Sequence, residues 1–257
     1  MKERAKITDR LHISTIDESC QAAAREANAG IEIAKFCWAQ YIDVDRESHI
    51  CHAKELMQGF KSFWFHAPFA EIAPCAIDPK VLDLTKLRYT QSVEIAFELG
   101  IRRLVIHGGY IPYVYYPQSY VERSVEFWKE FLLTAPQDIT IALENVMEPA
   151  PDMLVEIAAG VDDKRLGLCL DVGHANCIIS KTPPLDWIRP MSPYLKHVHI
   201  HNNLGDMDLH NALGEGSIPM EDVLDRVTEL CPGATFTIEN MNAMPSVKWL
   251  KDKGYID

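Results

Sequence analysis

The sequence predicts a (β/α)8 barrel, the TIM-barrel architecture, with its functional site at the carboxyl ends of the strands. Eight apolar runs of strand length alternate with eight helical patterns over 257 residues, which is the length that one such barrel needs. Several of these runs, such as LVIH and ITIAL, are apolar almost throughout, which is typical of strands in a buried parallel sheet. We therefore expect a single domain over residues 1–257.

The predicted elements follow one another along the whole chain. The eight strands are predicted at residues 11–15, 31–37, 62–66, 103–107, 140–145, 166–171, 195–201 and 235–239. The helices that follow them are predicted at residues 17–29, 46–58, 79–99, 118–133, 151–159, 185–188, 220–230 and 246–251. The helical pattern at 185–188 is weak. The structural alternative is an open doubly wound sheet. That fold usually has a glycine-rich phosphate turn after its first strand, and LHISTIDES contains no glycine.

Composition limits the class of protein. The formal net charge of −12 argues against a broadly basic surface for nucleic acid, although a local basic patch stays open. Seven cysteines without a CxxC pair do not indicate a disulfide framework. The N-terminal MKERAKITDR is too polar for a signal peptide, and no apolar run approaches the roughly 20 residues that span a bilayer. We expect a cytoplasmic protein without a membrane partner, and leave a homo-oligomer open.

Six consecutive predicted strands carry a potential metal ligand at or near their ends. These residues are His66, His107, Glu144, Asp171, His199 and Glu239. In a (β/α)8 barrel the carboxyl ends of all strands meet on one face, so side chains far apart in sequence can share one cavity. Helix caps favour Ser, Thr, Asp and Asn, so capping does not explain three histidines and two glutamates. Imidazole and carboxylate are ligands for Zn²⁺ and Mn²⁺, and the pattern predicts a divalent metal site.

Two loops add ligand types to the set. Asp171 and His174 lie three residues apart after strand six, and Asp208 and His210 lie two apart after strand seven. We predict that all four bind metal.

Strand seven carries three histidines on one face, because side chains alternate along a strand. We predict that His199 binds metal. His201 is predicted either to support a metal ligand or to contact substrate, and His197 to be structural.

The residues also resemble a known superfamily, the xylose isomerase-like (β/α)8 barrels, which include the sugar phosphate isomerases and epimerases and the endonuclease IV family (AP endonuclease family 2). The motifs that carry the resemblance are HAPF at 66–69, IHGG at 106–109, LEN at 143–145, DVGHAN at 171–176, HVHIHNN at 197–203, DLHNALGEG at 208–216 and TIEN at 237–240. The specific part is DxxH followed by DxHxxLGEG.

The resemblance implies two ligand patterns. The nuclease branch binds three zinc ions, which would fall to three sets: His66 and His107 with a bridging Glu144; Asp171, His199 and Glu239; and His174, Asp208 and His210. The isomerase and epimerase branch generally uses one divalent ion, here Zn²⁺ or Mn²⁺. Its ligands would be Glu144, Asp171, His199 and Glu239, with both glutamates also moving protons and His174 holding the substrate. Both patterns fit the sequence.

The favoured function is isomerisation or epimerisation of a small sugar or sugar-like molecule through an enediolate, with Glu144 and Glu239 as the catalytic proton carriers. Trp38 and Phe69 are predicted to contact this substrate.

The alternative is a multi-zinc phosphodiesterase or AP endonuclease, which the extra ligands favour. The loop APFAEIAPCAIDP after strand three has no Lys or Arg for phosphates, and Ala70 stands where a larger wedge would be expected. A barrel that only binds a ligand is the third hypothesis.

Overall fold

The computed structural model describes residues 4–257 and contains a closed barrel of eight parallel strands, each paired with the next and the first with the eighth. The strands are β1 (Leu11–Ser14), β2 (Gly30–Ile33), β3 (Phe63–His66), β4 (Arg103–His107), β5 (Thr140–Glu144), β6 (Leu166–Asp171), β7 (Leu195–Ile200) and β8 (Thr235–Ile238). This confirms the predicted (β/α)8 fold. The single domain over residues 1–257 stays a prediction, and its first three residues lie outside the described part.

Helices follow every strand. They are α1 (Cys20–Ala27), α2 (Gln40–Asp43), α3 (Arg46–Leu56), α4 (Pro79–Glu98), α5 (Pro117–Thr134), α6 (Asp152–Val161), α7 (Pro184–Met191), α8 (Met220–Leu230) and α9 (Met244–Asp252). Within residues 4–257, none of them combines the length and the apolar character that crossing a bilayer requires.

The region after β2 differs from the prediction of a strand over 31–37. The strand ends at Ile33 because the backbone N–H of Ala34 donates to the Thr15 hydroxyl instead of to a neighbouring strand. Residues Lys35–Cys37 then form a 3-10 turn, which the apolar pattern alone does not distinguish from a strand. The short α2 was not predicted, since four residues are too few to show a helical period.

The weak helical pattern at 185–188 corresponds to the longer α7. Pro184 occupies the first turn, where proline is well tolerated, and Pro190 lies in the last turn. Strands β7 and β8 each end one residue earlier than predicted, so His201 and Glu239 are the first residues beyond them.

The interior of the barrel is divided into two halves. We call one the apolar half; it holds Trp64 of β3, Val105 of β4, Ala142 of β5 and Cys169 of β6, which pack together. We call the other the polar half; it holds His12 of β1, Glu32 of β2, His197 of β7 and Thr237 of β8, all fully buried. The indole N–H of Trp64 donates to the Thr235 hydroxyl and so joins the halves. This divided interior is the floor of the site described next.

Candidate metal centre

The carboxyl ends of the strands bring the predicted ligands together. His66, His107 and Glu144 are the last residues of β3, β4 and β5, and Asp171 is the last residue of β6. His199 lies one residue before the end of β7. All of these side chains except the part-exposed His107 are buried. Residues up to 133 positions apart in the sequence (66 to 199) therefore share one face of the barrel.

One set of four residues, which we call the four-ligand group, consists of Glu144, Asp171, His199 and Glu239. Each offers a ligand atom, and these atoms all lie within 4.8 Å of one another. The His199 Nδ1 atom is central, at 3.3 Å from Glu144 Oε1, 3.4 Å from Glu239 Oε2 and 3.7 Å from Asp171 Oδ2. The group matches the predicted single-ion set residue for residue.

A second set, the two-histidine group, consists of His66, His107 and Glu144. The Nε2 atoms of both histidines lie 3.5 Å from Glu144 Oε2. The Nδ1 atom of His66 donates to the carbonyl of Ala67 at 2.9 Å, so in the neutral ring the lone pair is on Nε2, which faces Glu144. Glu144 uses its other oxygen in the four-ligand group and therefore connects the two.

A third set, the loop group, consists of His174, Asp208 and His210. The Nε2 atoms of the two histidines lie 3.2 and 2.8 Å from the same oxygen, Asp208 Oδ2. Their Nδ1 atoms donate to the backbone carbonyls of Asn145 (2.9 Å) and Glu239 (2.6 Å), so Nε2 is the nitrogen that each ring presents to Asp208. His210 also belongs to another set, formed with His201 and Glu239, whose ligand atoms all lie within 4.8 Å of one another. His210 therefore lies between this set and the loop group.

Charge keeps these carboxylates ionised. Burial would raise the pKa of Glu144, but His199 and His107 hold it well below its usual range. Burial would likewise raise the pKa of Asp208, and hydrogen bonds from His174 and His210 lower it. Burial lowers the pKa of His107 to about 3, so this ring is neutral and one of its two nitrogens has a lone pair for a cation.

The residues present fit a divalent cation. Glu144 Oε2 and His199 Nδ1 are buried and have no hydrogen-bond partner of acceptable geometry in residues 4–257. Glu144 Oε2 belongs to the two-histidine group and His199 Nδ1 to the four-ligand group, and buried polar atoms are normally paired, so a cation bound in each group would satisfy them. Imidazole nitrogen with carboxylate oxygen suits Zn²⁺ or Mn²⁺.

His201 supports Asp171 from behind. Its Nε2 atom lies 3.0 and 3.1 Å from the two Asp171 carboxylate oxygens, and its ring is fully buried. A Cβ atom at Gly173 would lie only 1.8 Å from the ring, so residue 173 must be glycine for His201 to stay in place. This burial favours the role of His201 as a support for a metal ligand. Direct contact with a substrate would require the substrate to have access to the buried ring.

The mouth of the site is aromatic. The Phe69 ring stacks on His107 with centroids 4.7 Å apart, and Trp38 packs on Phe69 at 5.5 Å while remaining 53% exposed. A cavity of about 290 Å³ adjoins His107 and is lined mainly by apolar residues, among them Phe69, Tyr115 and Met147. The predicted substrate contacts of Trp38 and Phe69 stay predictions, and both residues lie where such contacts would be made.

Glu32 was not among the residues predicted from the sequence. This carboxylate is fully buried in the middle of β2, and its oxygens lie 3.1 Å from His197 Nε2 and 3.2 Å from His199 Nε2. A single charged residue in the apolar strand GIEI was the available signal. His197 lies beneath His199, stacked on Trp64 at 4.2 Å, which agrees with a structural role.

The chain is similar to proteins of known sequence. It is 32% identical over 192 residues to the uncharacterized protein MJ1311 of Methanocaldococcus jannaschii, covering 71% of this chain and 66% of that one. It is 23% identical over 169 residues to a Mycobacterium leprae protein named as an endonuclease 4, covering 62% and 65%. The chain thus spans just under two thirds of the length of these curated relatives.

Solved structures share the fold over nearly the whole chain. The crystal structure of a D-tagatose 3-epimerase-like protein is 28% identical with a TM-score of 0.79 and covers 96% of both chains. The TTHB071 protein from Thermus thermophilus, soaked with ZnCl2, is 23% identical with a TM-score of 0.75 over 95% of this chain and 97% of that one. The family model for the xylose isomerase-like TIM barrel matches residues 20–253. With this match, the motifs and the closed barrel, the chain belongs to the xylose isomerase-like TIM-barrel family.

Proposed function

We propose that the protein is a metal-dependent isomerase or epimerase of a small sugar or sugar-like molecule. The observation that carries the proposal is the four-ligand group, in which Glu144 and Glu239 lie 3.3 and 3.4 Å from the same His199 nitrogen. A reaction that removes a proton from carbon and returns it needs a base and an acid, and two carboxylates beside one ion could serve as both. The 28% identity to a D-tagatose 3-epimerase-like protein over 96% of the chain supports the same class.

The divalent ion would be held by Glu144, Asp171, His199 and Glu239. When bound, it supplies electrostatic stabilisation for the negative charge that develops on the substrate oxygens. Glu144 stays ionised, since the neighbouring imidazoles lower its pKa, and this carboxylate is the candidate base. Glu239 is 7% exposed, against 1% for Glu144, and is the candidate for returning the proton.

The substrate would occupy the cavity of about 290 Å³ beside His107. Its volume suits a small molecule at the lower end of known ligand sites. Phe69 and Trp38 offer aromatic faces for the apolar side of a sugar ring, and the His174 side chain, 13% exposed, would hold a hydroxyl.

The second candidate is a multi-zinc phosphoesterase. The observation that favours it is the presence of the two-histidine and loop groups, which exceed the needs of one ion. The likeness to an endonuclease 4 at 23% identity points the same way. The net charge of −12 argues against duplex DNA as its substrate, so a smaller phosphoester would be the expected target.

Isotope exchange separates the two functions. Zinc- or manganese-loaded protein would be incubated in D2O with a panel of ketoses and aldoses, and carbon-bound deuterium followed by NMR. We expect deuterium to be incorporated at the carbon next to the carbonyl by the wild type. The variants Glu144→Gln and Glu239→Gln should not incorporate it. Glu126→Gln, at an exposed residue of α5, is the matched control.

The same preparations would be assayed on a phosphodiester and on abasic DNA, with metal content measured per chain. Phosphoester cleavage without deuterium exchange, together with about three zinc ions, would refute the isomerase and favour the second candidate. Protein that takes up no ion would refute both and leave a binding barrel.

A further inference from the structure

Three of the candidate ligand histidines share a pattern of hydrogen bonding. In His66, His174 and His210, the Nδ1 atom donates to a backbone carbonyl at 2.6–2.9 Å. Because a carbonyl oxygen only accepts, Nδ1 carries a proton and Nε2 is the nitrogen that faces the carboxylates. In these three rings the backbone thus decides which nitrogen faces the carboxylates.

His199 is oriented the other way. Its Nδ1 atom faces Glu144, Asp171 and Glu239, and has no hydrogen-bond partner in the described part of the chain. Its Nε2 atom points down into the barrel, where no backbone carbonyl of residues 4–257 accepts a hydrogen bond from it, in contrast to those three rings. There it meets the two oxygens of Glu32, at 3.2 and 3.3 Å.

Glu32 is itself held in place. It is fully buried, and its Oε2 atom accepts a hydrogen bond from the Thr237 hydroxyl at 2.7 Å. The same oxygen lies 3.1 Å from His197 Nε2. A charged residue in a barrel interior carries a large desolvation cost, which these contacts offset only in part. Such a cost is typical of a residue retained for a role other than packing.

We propose that Glu32 is a positioning residue for the metal centre: it fixes the proton of His199 on Nε2 and so keeps the Nδ1 lone pair directed at the four-ligand group. An ionised carboxylate accepts hydrogen bonds and donates none, so the ring nitrogen beside it carries the proton. Its negative charge also makes the imidazole a stronger donor to a cation, as carboxylates behind metal-bound histidines generally do. The inference rests on the proposed metal centre.

The test compares Glu32→Gln with Thr237→Val. Glutamine keeps the shape of Glu32 but removes its charge and one of its two acceptor oxygens. Valine keeps the shape of Thr237 and removes the hydroxyl that contacts Glu32, while leaving the contact between Glu32 and His199. Zn²⁺ affinity would be measured by competition with a chromophoric chelator, and folding by thermal unfolding of the metal-free proteins.

We expect Glu32→Gln to weaken zinc affinity by about 10- to 100-fold, the range for residues behind metal ligands. Thr237→Val should change it far less. A purely structural role would instead lower the unfolding temperature of both variants and leave the affinity of the folded protein unchanged. Equal zinc affinity in Glu32→Gln and wild type would overturn the inference.

A second measurement needs no variant. In the zinc-loaded wild type labelled with ¹⁵N at histidine, NMR should find the His199 proton on Nε2 and none on Nδ1. A His199 ring with Nε2 free of its proton would overturn the inference even where Glu32→Gln fails to fold. Wild-type protein that binds no zinc would instead refute the proposed function, and this inference with it.

Discussion

Replacing Gly173 by alanine tests the closest packing in the site. The added Cβ would lie 1.8 Å from His201 Cε1 and 2.5 Å from each ring nitrogen. Non-bonded carbons prefer roughly 3.5–4.0 Å, so the ring would have to move by about 2 Å. A shift of that size breaks the contacts of 3.0 and 3.1 Å between His201 and Asp171.

The cost follows from these two effects. Overpacking of a filled interior costs roughly 1–3 kcal/mol and loss of a hydrogen bond to a charged group roughly 1.5–3 kcal/mol, which gives about 2.5–6 kcal/mol in all. For a domain of this size, each kcal/mol lowers the unfolding midpoint by roughly 2–4 °C, so we expect a fall of at least about 5 °C.

The assay is thermal unfolding followed by circular dichroism, with chelator present so that metal binding does not contribute. Gly233→Ala is the matched control, because a Cβ there meets no atom within 4 Å and its backbone is outside the left-handed region. A zinc titration of the folded Gly173→Ala protein should also show weaker binding, since Asp171 has lost its support. Midpoints for Gly173→Ala and Gly233→Ala that agree within about 2 °C would refute the reasoning.

Three further changes have defined outcomes. Glu144→Gln should lower the number of zinc ions retained per chain, measured by elemental analysis, because Glu144 serves two ligand groups; retention equal to that of Glu126→Gln would contradict this. Burial lowers the pKa of His12 to about 3, so the folded protein keeps this ring neutral while the unfolded chain protonates it below about pH 6.5. Stability should therefore be lost as pH falls from about 6.5 towards 3, by at most about 1.4 kcal/mol per pH unit. His12→Gln should flatten this slope in urea unfolding, and a slope as steep as that of the exposed-site control His52→Gln would count against it. Trp38→Ala should raise KM more than it lowers kcat, since this 53% exposed ring lies at the mouth; the reverse result would remove it from the substrate site.

The sequence predicted the fold well where the apolar pattern was unambiguous. The bounds of β4 and β6 agree with the prediction to the residue, because a glycine pair follows one and the other ends at a charged residue. The predicted end of β2 was wrong, because the apolar run continues beyond the strand into a turn. The chain leaves the sheet there because Ala34 donates to a hydroxyl from another loop.

The metal ligands of the site could be predicted from the geometry of the barrel, whereas the residues that support them could not. A closed parallel barrel places all strand ends on one face, so position along each strand was enough to nominate His66, Glu144 or Asp171. Residues behind the ligands have no such rule. Glu32 in mid-strand and the support that His201 gives to Asp171 depend on which side chains meet across the interior, and this requires three-dimensional coordinates.

The divided barrel interior has a consequence for how this protein can diverge. In the apolar half, swaps that conserve volume, at Val105 or Ala142 for example, should cost less than about 1.5 kcal/mol and can accumulate one at a time. In the polar half, a single change leaves the partner of a buried hydrogen bond unpaired, which costs about 1–3 kcal/mol of stability. Tolerated changes there must therefore occur in compensating pairs. We expect changes in the barrel interior, in nature or in directed evolution, to accumulate beneath the ligands of β3–β6 while the interior positions of β1, β2, β7 and β8 stay fixed.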